Sequence, residues 1–283
     1  MELLKVIFIS IIQGIAEFLP ISSSGHILLF KRLLGLDFDI SFDLTIHFGT
    51  LLAVILVYRN DIAELIKGLF CKEIQSKTFG RTLKRSEVAH IYLVFIIATI
   101  PAGFTGLLLK DVIDTHFVIG NSKIFFLLAL FFIYTALILT FSSRVKKDKT
   151  ALIDKMSIKQ ALIVGIFQAA AVLPGISRSG STISGALFCG VDKKDAGRFS
   201  FLLSIPLILA AFLLEVKDLI TGELTLAQGA ALYYIVGLIV SFAVGYISLK
   251  LLLKMIQNGK MGFFALYLIV PAAVSVVLGF IPA

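Results

Sequence analysis

The sequence predicts an all-α protein that crosses a membrane many times, and three observations support this fold class. The 283 residues are 58% hydrophobic and 16% charged, with a mean hydropathy of +1.00, whereas about a quarter of the residues of a soluble domain are charged. Six segments are apolar over the roughly 20 residues that a helix needs to cross the hydrocarbon core. We expect one membrane domain over 1–283. The six segments lie at 41–58, 90–109, 122–141, 199–216, 229–251 and 262–281.

Two further apolar regions, 3–30 and 160–190, are each interrupted by a polar motif that contains proline. The motifs are FLPISSSGH at 18–26 and LPGISRSGST at 173–182. Proline removes a backbone donor and clashes with the preceding turn. The freed backbone groups find no partner in lipid, so such breaks survive only inside protein or beside a wet cavity. Each region is therefore predicted to be a re-entrant hairpin of two half-helices.

The two interrupted regions match each other when the chain is shifted by 155 residues. Three crossings follow each hairpin, and an odd number of crossings inserts the second copy the opposite way. The sequence therefore predicts an inverted-topology repeat of two re-entrant helical hairpins plus six transmembrane helices, with repeat 1 at about 1–141 and repeat 2 at about 158–283. The identical pairs include Gln13 with Gln168, Ser22 with Ser177, Ser24 with Ser179, and Gly25 with Gly180.

Basic residues are unevenly distributed across this topology. Of the 26 Lys and Arg residues, 19 fall on one side and six on the other, and the positive-inside rule makes the richer side cytoplasmic. We therefore predict a multi-pass protein of the bacterial cytoplasmic (inner) membrane with both termini outside. Because the basic residues sit in loops and form no basic stripe, the net charge of +8 does not indicate nucleic-acid binding. The basic connector at 59–90 is expected to lie near anionic headgroups without chemistry of its own.

The hairpins carry Glu17, Arg178 and His26 in regions where charge is costly. A charged side chain in a membrane segment costs about 2.5–3.5 kcal/mol on insertion scales, so it indicates function. A purely structural Glu17–Arg178 ion pair is the alternative, but it does not need the many hydroxyl groups around it. Those hydroxyl groups belong to Ser22, Ser23, Ser24, Ser177, Ser179, Ser181 and Thr182.

These groups together predict a phosphate cradle. Hydroxyls and half-helix N-termini donate hydrogen bonds to anions, Arg178 offers a planar fork for phosphate oxygens, and Gly25, Gly175 and Gly180 let a ligand approach the backbone. A phosphate held within a bilayer is expected to carry a hydrocarbon tail. The predicted partners are therefore membrane lipids and a phospholipid or polyprenyl phosphate substrate.

The same residues supply candidates for catalysis. Glu17 can act as a base or hold a divalent metal that also binds phosphates, and Gln13 projects from the same helical face. His26 is the candidate proton shuttle, and Ser23 is the candidate nucleophile. The histidines His47, His90 and His116 are interpreted as structural.

At these residues the chain resembles the undecaprenyl-diphosphatase family, bacterial membrane enzymes that are linked to bacitracin resistance. The segments QGIAEFLPISSSGH at 13–26 and LPGISRSGSTISG at 173–185 look like the two signature regions of that family. The resemblance extends along the whole chain. It implies hydrolysis of undecaprenyl diphosphate to undecaprenyl phosphate and inorganic phosphate, which recycles the lipid carrier for peptidoglycan. It also implies a divalent cation, Mg²⁺ or Ca²⁺.

The resemblance further implies roles for single residues. Glu17 becomes the essential acidic residue and the metal ligand, His26 and Ser23 become the acid/base and nucleophile candidates, and Arg178 becomes the phosphate binder. Family members often carry Glu at the position of Gln13, and a glutamine cannot act as a base, so Gln13 is expected to position its neighbours. Attack by Ser23 and direct attack by water both remain open. Matched polar positions of the second motif are Ser177 and Thr182.

A secondary transporter or lipid translocator is the alternative function, because inverted repeats with broken helices are typical of transporters. Fold alone does not choose between the two. The phosphate cradle favours the hydrolase, since a transporter of soluble anions has no special need of Glu17, Ser23 and His26 around it. A homodimer is compatible with the sequence, which does not define the oligomeric state.

Overall fold

The structure is a computed structural model that describes residues 3–36, 40–116, 122–145, 153–221 and 231–282. Within these ranges the chain is almost entirely helical, which confirms the predicted all-α membrane class. The elements in chain order are α1 (Leu3–Ala16), α2 (Ser23–Leu34), α3 (Ile40–Val57), α4 (Arg59–Phe70), β1 (Glu73–Ser76), β2 (Arg81–Lys84), α5 (Arg85–His116), α6 (Ile124–Ser143), a 3₁₀ turn (Ile153–Lys155), α7 (Ile158–Ala170), α8 (Arg178–Phe188), α9 (Lys193–Thr221), α10 (Ala231–Gln257), α11 (Gly262–Tyr267) and α12 (Ile269–Phe280).

The six predicted crossings correspond to α3, α5, α6, α9, α10 and the α11–α12 segment. Five of the described helical segments are long and apolar enough to cross a membrane, and α3 with α4 makes a sixth, bent by 72° where the two helices join. The first two residues of the predicted span at 229–251 lie outside the described residues. Large apolar side chains such as Leu107 and Ile247 are exposed on the outer faces of these helices, as expected where the surrounding solvent is lipid.

Two hairpins of short helices, α1–α2 and α7–α8, occupy the interrupted regions. Helix α2 begins at Ser23 and α8 at Arg178, both inside the polar motifs. The preceding serines act as N-caps: the Ser22 side chain accepts from the Gly25 amide, and the Ser177 side chain accepts from the Gly180 amide. Serine is a preferred N-cap because its oxygen satisfies a backbone donor that the first turn leaves open. The same cap therefore recurs at the two positions that match in sequence.

Each hairpin packs against a crossing of the other predicted repeat. Helix α1 lies along α10, and α7 lies along α5, while α3 also packs against α10 and α9. Small residues allow this close approach, since a side-chain carbon on Gly14 would lie 2.9 Å from the Gly245 nitrogen. The ends of both hairpins are buried, since Ser22 is 3% exposed and Ser177 is 1% exposed. The exact division of the chain into repeats stays a prediction.

The 59–90 connector contains a β-hairpin that the sequence does not predict. After the amphipathic α4, strands β1 and β2 form an antiparallel hairpin in which Glu73 pairs with Lys84 and Ser76 with Arg81. Ion pairs from Arg81 to Asp154 and from Arg198 to Asp61 fasten the connector to the 3₁₀ turn and to α9. The connector is thus a folded cap on this end of the bundle.

Candidate active site

The tips of the two hairpins touch through glycine. A side-chain carbon on Gly25 would lie 3.1 Å from the Gly175 Cα, and one on Gly180 would lie 3.2 Å from the Pro20 Cβ. The two contacts are equivalent in the two halves of the chain, because Gly25 matches Gly180 and Pro20 matches Gly175 at the 155-residue shift. The glycines were expected to let the backbone approach a ligand. The structure places them instead where the two tips pack together.

A cavity of about 260 Å³ lies between the hairpin tips and helices α3 and α9. One part of its wall is polar and comes from both hairpins and α3, and the rest is apolar. The polar wall consists of Glu17, Ser22, Ser23, Ser24, His47, Ser177 and Arg178. The apolar wall consists of Ala16, Leu44, Ala171, Ile176, Leu207, Ile208 and Ala211.

Glu17 and Arg178 form an ion pair in this wall. Arg178 Nη2 donates to Glu17 Oε1 at 2.5 Å, and the two side chains are only 14% and 8% exposed. Glu17 Oε2 accepts from Ser23 Oγ at 2.7 Å and from Gln13 Nε2 at 3.2 Å. Ser23 and Arg178 are the first residues of their half-helices, so the two matched helix ends converge on one carboxylate. Four predicted site residues therefore meet here.

Part of Arg178 remains available for a ligand. Its Nη1 atom is buried and has no hydrogen-bond partner within the described part of the chain. A buried donor without a partner is costly, so an anion that enters the cavity gains a charge-assisted hydrogen bond there. The Ser22 and Ser177 hydroxyls also line the cavity, although each already accepts from a backbone amide. This wall suits a phosphate group.

Ser24 and Ser179 occupy matched positions but have different surroundings. Ser24 lines the cavity, and its Oγ accepts from the Gly175 amide at 3.3 Å. Ser179 is buried, and its Oγ lies 3.2 Å from Ser177 Oγ. Only Ser24 is therefore positioned to contact a molecule in the cavity, and Ser179 supports the wall from behind.

Thr182 also lies behind the cavity wall. Its Oγ1 donates to the Arg178 carbonyl at 2.8 Å and lies 2.5 Å from Ser200 Oγ. Thr182 is fully buried. The structure therefore gives Thr182 a supporting position, one turn after Arg178 in α8 and against α9, and does not place it where the predicted substrate contact would need it. Gln13 is equally buried and reaches the site through Glu17.

His26 does not line the cavity. It is 4% exposed, its Nδ1 lies 2.8 Å from the Ser22 carbonyl oxygen, and its Nε2 lies 2.9 Å from the Tyr267 hydroxyl. Because a carbonyl only accepts, Nδ1 carries the hydrogen and the Tyr267 hydroxyl donates to Nε2. The rings of His26 and Tyr267 are stacked. Both ring nitrogens are thus engaged away from the cavity. The structure therefore does not place His26 where the predicted proton shuttle would need it.

His47, interpreted as structural from the sequence, is the imidazole that faces the cavity. Its Nε2 lies 3.7 Å from Glu17 Oε2. The sequence contains an indication that His47 has a functional role, because His47 lies inside the predicted span at 41–58, where a titratable side chain indicates function. His90 agrees with its structural interpretation: its Nε2 lies 2.8 Å from the Met156 carbonyl oxygen. The side chain of His116 lies outside the described residues.

The side-chain oxygens at the cavity determine whether a divalent cation fits there. Within the described residues there is no group of three or more His, Cys, Asp and Glu side chains that could hold a metal, and Glu17 is the carboxylate in the cavity wall. Next to it, Gln13 Oε1 is buried without a hydrogen-bond partner. Mg²⁺ is commonly held by one or two carboxylates plus substrate phosphates. The residues therefore fit a hard cation when phosphate oxygens complete its ligands.

Fold and cavity together define a class of protein: a multi-pass helical membrane protein with a buried Glu17–Arg178 pair in a cavity where two short-helix hairpins meet. Comparison with known proteins identifies the family. The chain belongs to the bacitracin resistance protein BacA family, whose profile matches residues 6–274.

Individual relatives are similar along almost their whole length. A protein of Methanosphaera stadtmanae is 40% identical over 282 residues, covering 98% of both chains. A protein of Treponema denticola is 43% identical over 272 residues, covering 95% of this chain and 94% of its own. A protein of Halothermothrix orenii is 40% identical over 269 residues, covering 94% of both. All three are named undecaprenyl-diphosphatase.

Proposed function

We propose that this protein hydrolyses undecaprenyl diphosphate to undecaprenyl phosphate and inorganic phosphate, so that the lipid carrier returns to peptidoglycan synthesis. The observation that carries this function is the buried Glu17–Arg178 pair, which joins both hairpins at one cavity inside an apolar helical bundle. The names of relatives that cover almost the whole chain support the same reaction. Family membership also favours hydrolysis over transport.

Binding of the diphosphate follows from the polar wall. The first residues of α2 and α8, Ser23 and Arg178, both line the cavity, and a helix N-terminus favours an anion through its free amides and its dipole. Arg178 Nη1 supplies a further donor. The apolar wall formed by Leu44, Leu207 and Ile208 lies between α3 and α9, where it offers the first isoprene units a path towards lipid.

The chemistry is attack on the terminal phosphorus with departure of the lipid monophosphate. Arg178 stabilises the charge that spreads over the transferred phosphoryl oxygens. Two nucleophiles fit this site. Ser23 donates to Glu17 at 2.7 Å, so Glu17 is placed to take its proton if the hydroxyl attacks. In the other route, water attacks and Ser23 holds the carboxylate in place.

A divalent cation, Mg²⁺ or Ca²⁺, is part of the proposed function. Glu17 and the unpartnered Gln13 Oε1 would hold it together with the substrate oxygens. When bound, the cation neutralises phosphate charge. Chelation is therefore expected to stop turnover, and adding metals one at a time identifies the ion.

The placement of the protein in the membrane is proposed from the distribution of Lys and Arg. We infer a location in the bacterial inner membrane, with both termini outside and the connector at 59–90 in the cytoplasm. Cys71 lies exposed at the end of α4, so it is expected to react with a membrane-impermeant maleimide only after cells are opened. Reaction in intact cells would reverse the topology. A homodimer is proposed as well, and light scattering of the detergent complex measures its mass.

The decisive experiment uses the purified full chain in detergent with undecaprenyl diphosphate and added Mg²⁺ or Ca²⁺. Inorganic phosphate and undecaprenyl phosphate are expected in equal amounts, and Arg178→Ala is expected to abolish the release. The matched control is Arg144→Ala, at the end of α6 and outside the cavity wall. Absence of phosphate release by the wild-type chain, with uptake of the lipid in liposomes, would establish transport in place of hydrolysis.

A further inference from the structure

Two histidines lie near the hairpin tips, and they differ in what their ring nitrogens contact. His26 is engaged at both nitrogens, by the Ser22 carbonyl and the Tyr267 hydroxyl, and it does not line the cavity. His47 lines the cavity, and its side chain is 27% exposed. An acid or base must come within hydrogen-bond reach of the reacting group. His47 meets this geometric requirement, and His26 does not.

The position of the hydrogen on His47 is defined by its helix. Nδ1 lies 2.7 Å from the Asp43 carbonyl oxygen, one turn earlier in α3. Since a carbonyl oxygen only accepts, Nδ1 carries the hydrogen, and the neutral ring presents the Nε2 lone pair on its other side. Nε2 makes no hydrogen bond to the described residues, and its 3.7 Å separation from Glu17 Oε2 is too long for one.

Glu17, the other base candidate, is already occupied. Oε1 accepts from Arg178, and Oε2 accepts from both Ser23 and Gln13. Both oxygens of Glu17 are therefore engaged by neighbouring side chains, and a hydrogen of a reactant would have to compete with these donors. Among the described side chains of the cavity wall, His47 therefore offers a ring nitrogen, Nε2, that lies at the cavity and makes no hydrogen bond.

We propose that His47 is the general base that orients and deprotonates the attacking water, a role that rests on the proposed diphosphate hydrolysis. The water oxygen forms a bond to the terminal phosphorus, and the bond from that phosphorus to the bridging oxygen breaks. The bridging oxygen keeps the electron pair and leaves on the lipid monophosphate. One water proton passes to His47 Nε2, and the other stays with the released phosphate. Ser23 then holds Glu17 and does not attack.

The test compares His47→Ala and His47→Gln in the phosphate-release assay. The matched histidine control is His90→Gln, near the start of α5 and outside the cavity wall. A lost general base lowers kcat by about 10²–10⁴-fold, and we expect this for both variants with KM changed less than about threefold. Gln can accept a hydrogen bond but cannot take the proton. Free imidazole is expected to restore kcat of His47→Ala by about tenfold or more, since the lost ring leaves room beside the cavity.

Several outcomes would overturn the role of His47. One is a kcat of His47→Ala within threefold of wild type, and another is a loss confined to KM. The others are a loss that imidazole does not repair in a properly folded His47→Ala variant, and a phosphorylated Ser23 trapped by acid quench. Folding is checked by the thermal midpoint and by elution as a single species. A wild-type chain that releases no phosphate would instead remove the proposed function itself.

Discussion

The Glu17–Arg178 pair allows structural and functional roles to be separated by a double-mutant cycle of Glu17→Gln and Arg178→Gln. The two side chains are 8% and 14% exposed, and removing one partner of a buried ion pair leaves an uncompensated charge that costs about 3–5 kcal/mol. We expect about 3 kcal/mol for Arg178→Gln, at the low end of that range, because Ser23 and Gln13 still donate to the carboxylate.

The double variant removes both charges at once. Two neutral amides at these positions leave no uncompensated charge, so the double variant is expected to be more stable than the sum of the singles, with a coupling energy of about 2–3 kcal/mol. The chain has no tryptophan, so unfolding in detergent is followed by circular dichroism. Turnover is expected to behave differently. Each single variant and the double variant should lose phosphate release by about 10²-fold or more, as when one preorganised donor is removed.

Recovery of stability without recovery of turnover is the expected signature of a pair that binds and activates substrate. Recovery of both in the double variant would mean that Glu17 and Arg178 only brace the two hairpin tips. Near-normal turnover in either single variant would refute the phosphate-cradle reasoning directly. The Arg144→Ala variant controls for the loss of one basic residue.

Two further predictions concern the surroundings of the site. Gly175→Ala is expected to destabilise the protein by about 1–3 kcal/mol, because Gly175 has φ +106° and a Cβ there would lie 2.5 Å from Leu128 Cδ1 in α6. An unchanged thermal midpoint would contradict the close packing of this tip against α6. Tyr267→Phe removes the donor to His26 Nε2 and should cost about 1–3 kcal/mol of stability, while kcat stays within about twofold of wild type. A large loss of kcat at an unchanged thermal midpoint would restore His26 to the catalytic step.

The crossings and the two breaks could be predicted because they follow from local composition. Helices α3, α5, α6, α9 and α10 overlap the apolar segments, since a run of some 20 apolar residues has few alternatives to a spanning helix. The breaks at Pro20 and Pro174 follow equally from backbone chemistry. Helix ends were less predictable. Helix α5 continues to His116, well beyond the predicted end at 109, because hydropathy does not mark where a helix leaves the membrane.

Assigning the histidines required packing information that the sequence does not contain. His26 belongs to the polar motif, yet it turns towards Tyr267, a residue 241 positions away in α11. His47 belongs to an ordinary apolar span, yet the packing of α3 against the hairpins puts it beside Glu17. Motif membership predicted that residues of the two motifs come together, as they do at one cavity, but side-chain direction depends on contacts between distant elements. The β1–β2 hairpin could not be predicted for a different reason: four-residue strands with mixed charge give no clear alternation of polar and apolar residues.

The site arises from a few positions at which the two matched hairpins differ. The shared framework is nearly symmetric: serine caps both half-helices, glycine forms both tip contacts, and Gln13 and Gln168 are both buried. At the first residue of each half-helix, however, one hairpin has Ser23 and the other has Arg178.

Glu17 has no acidic counterpart, since Val172 occupies the matched position. A symmetric pair of tips would present two equal charges to each other. Replacing one arginine by serine and one valine by glutamate gives opposite charges that attract, and it leaves one guanidinium whose Nη1 atom has no hydrogen-bond partner in the described part of the chain. The asymmetry of these positions therefore gives the cavity one carboxylate and one guanidinium, and with them a single orientation for the proposed diphosphate.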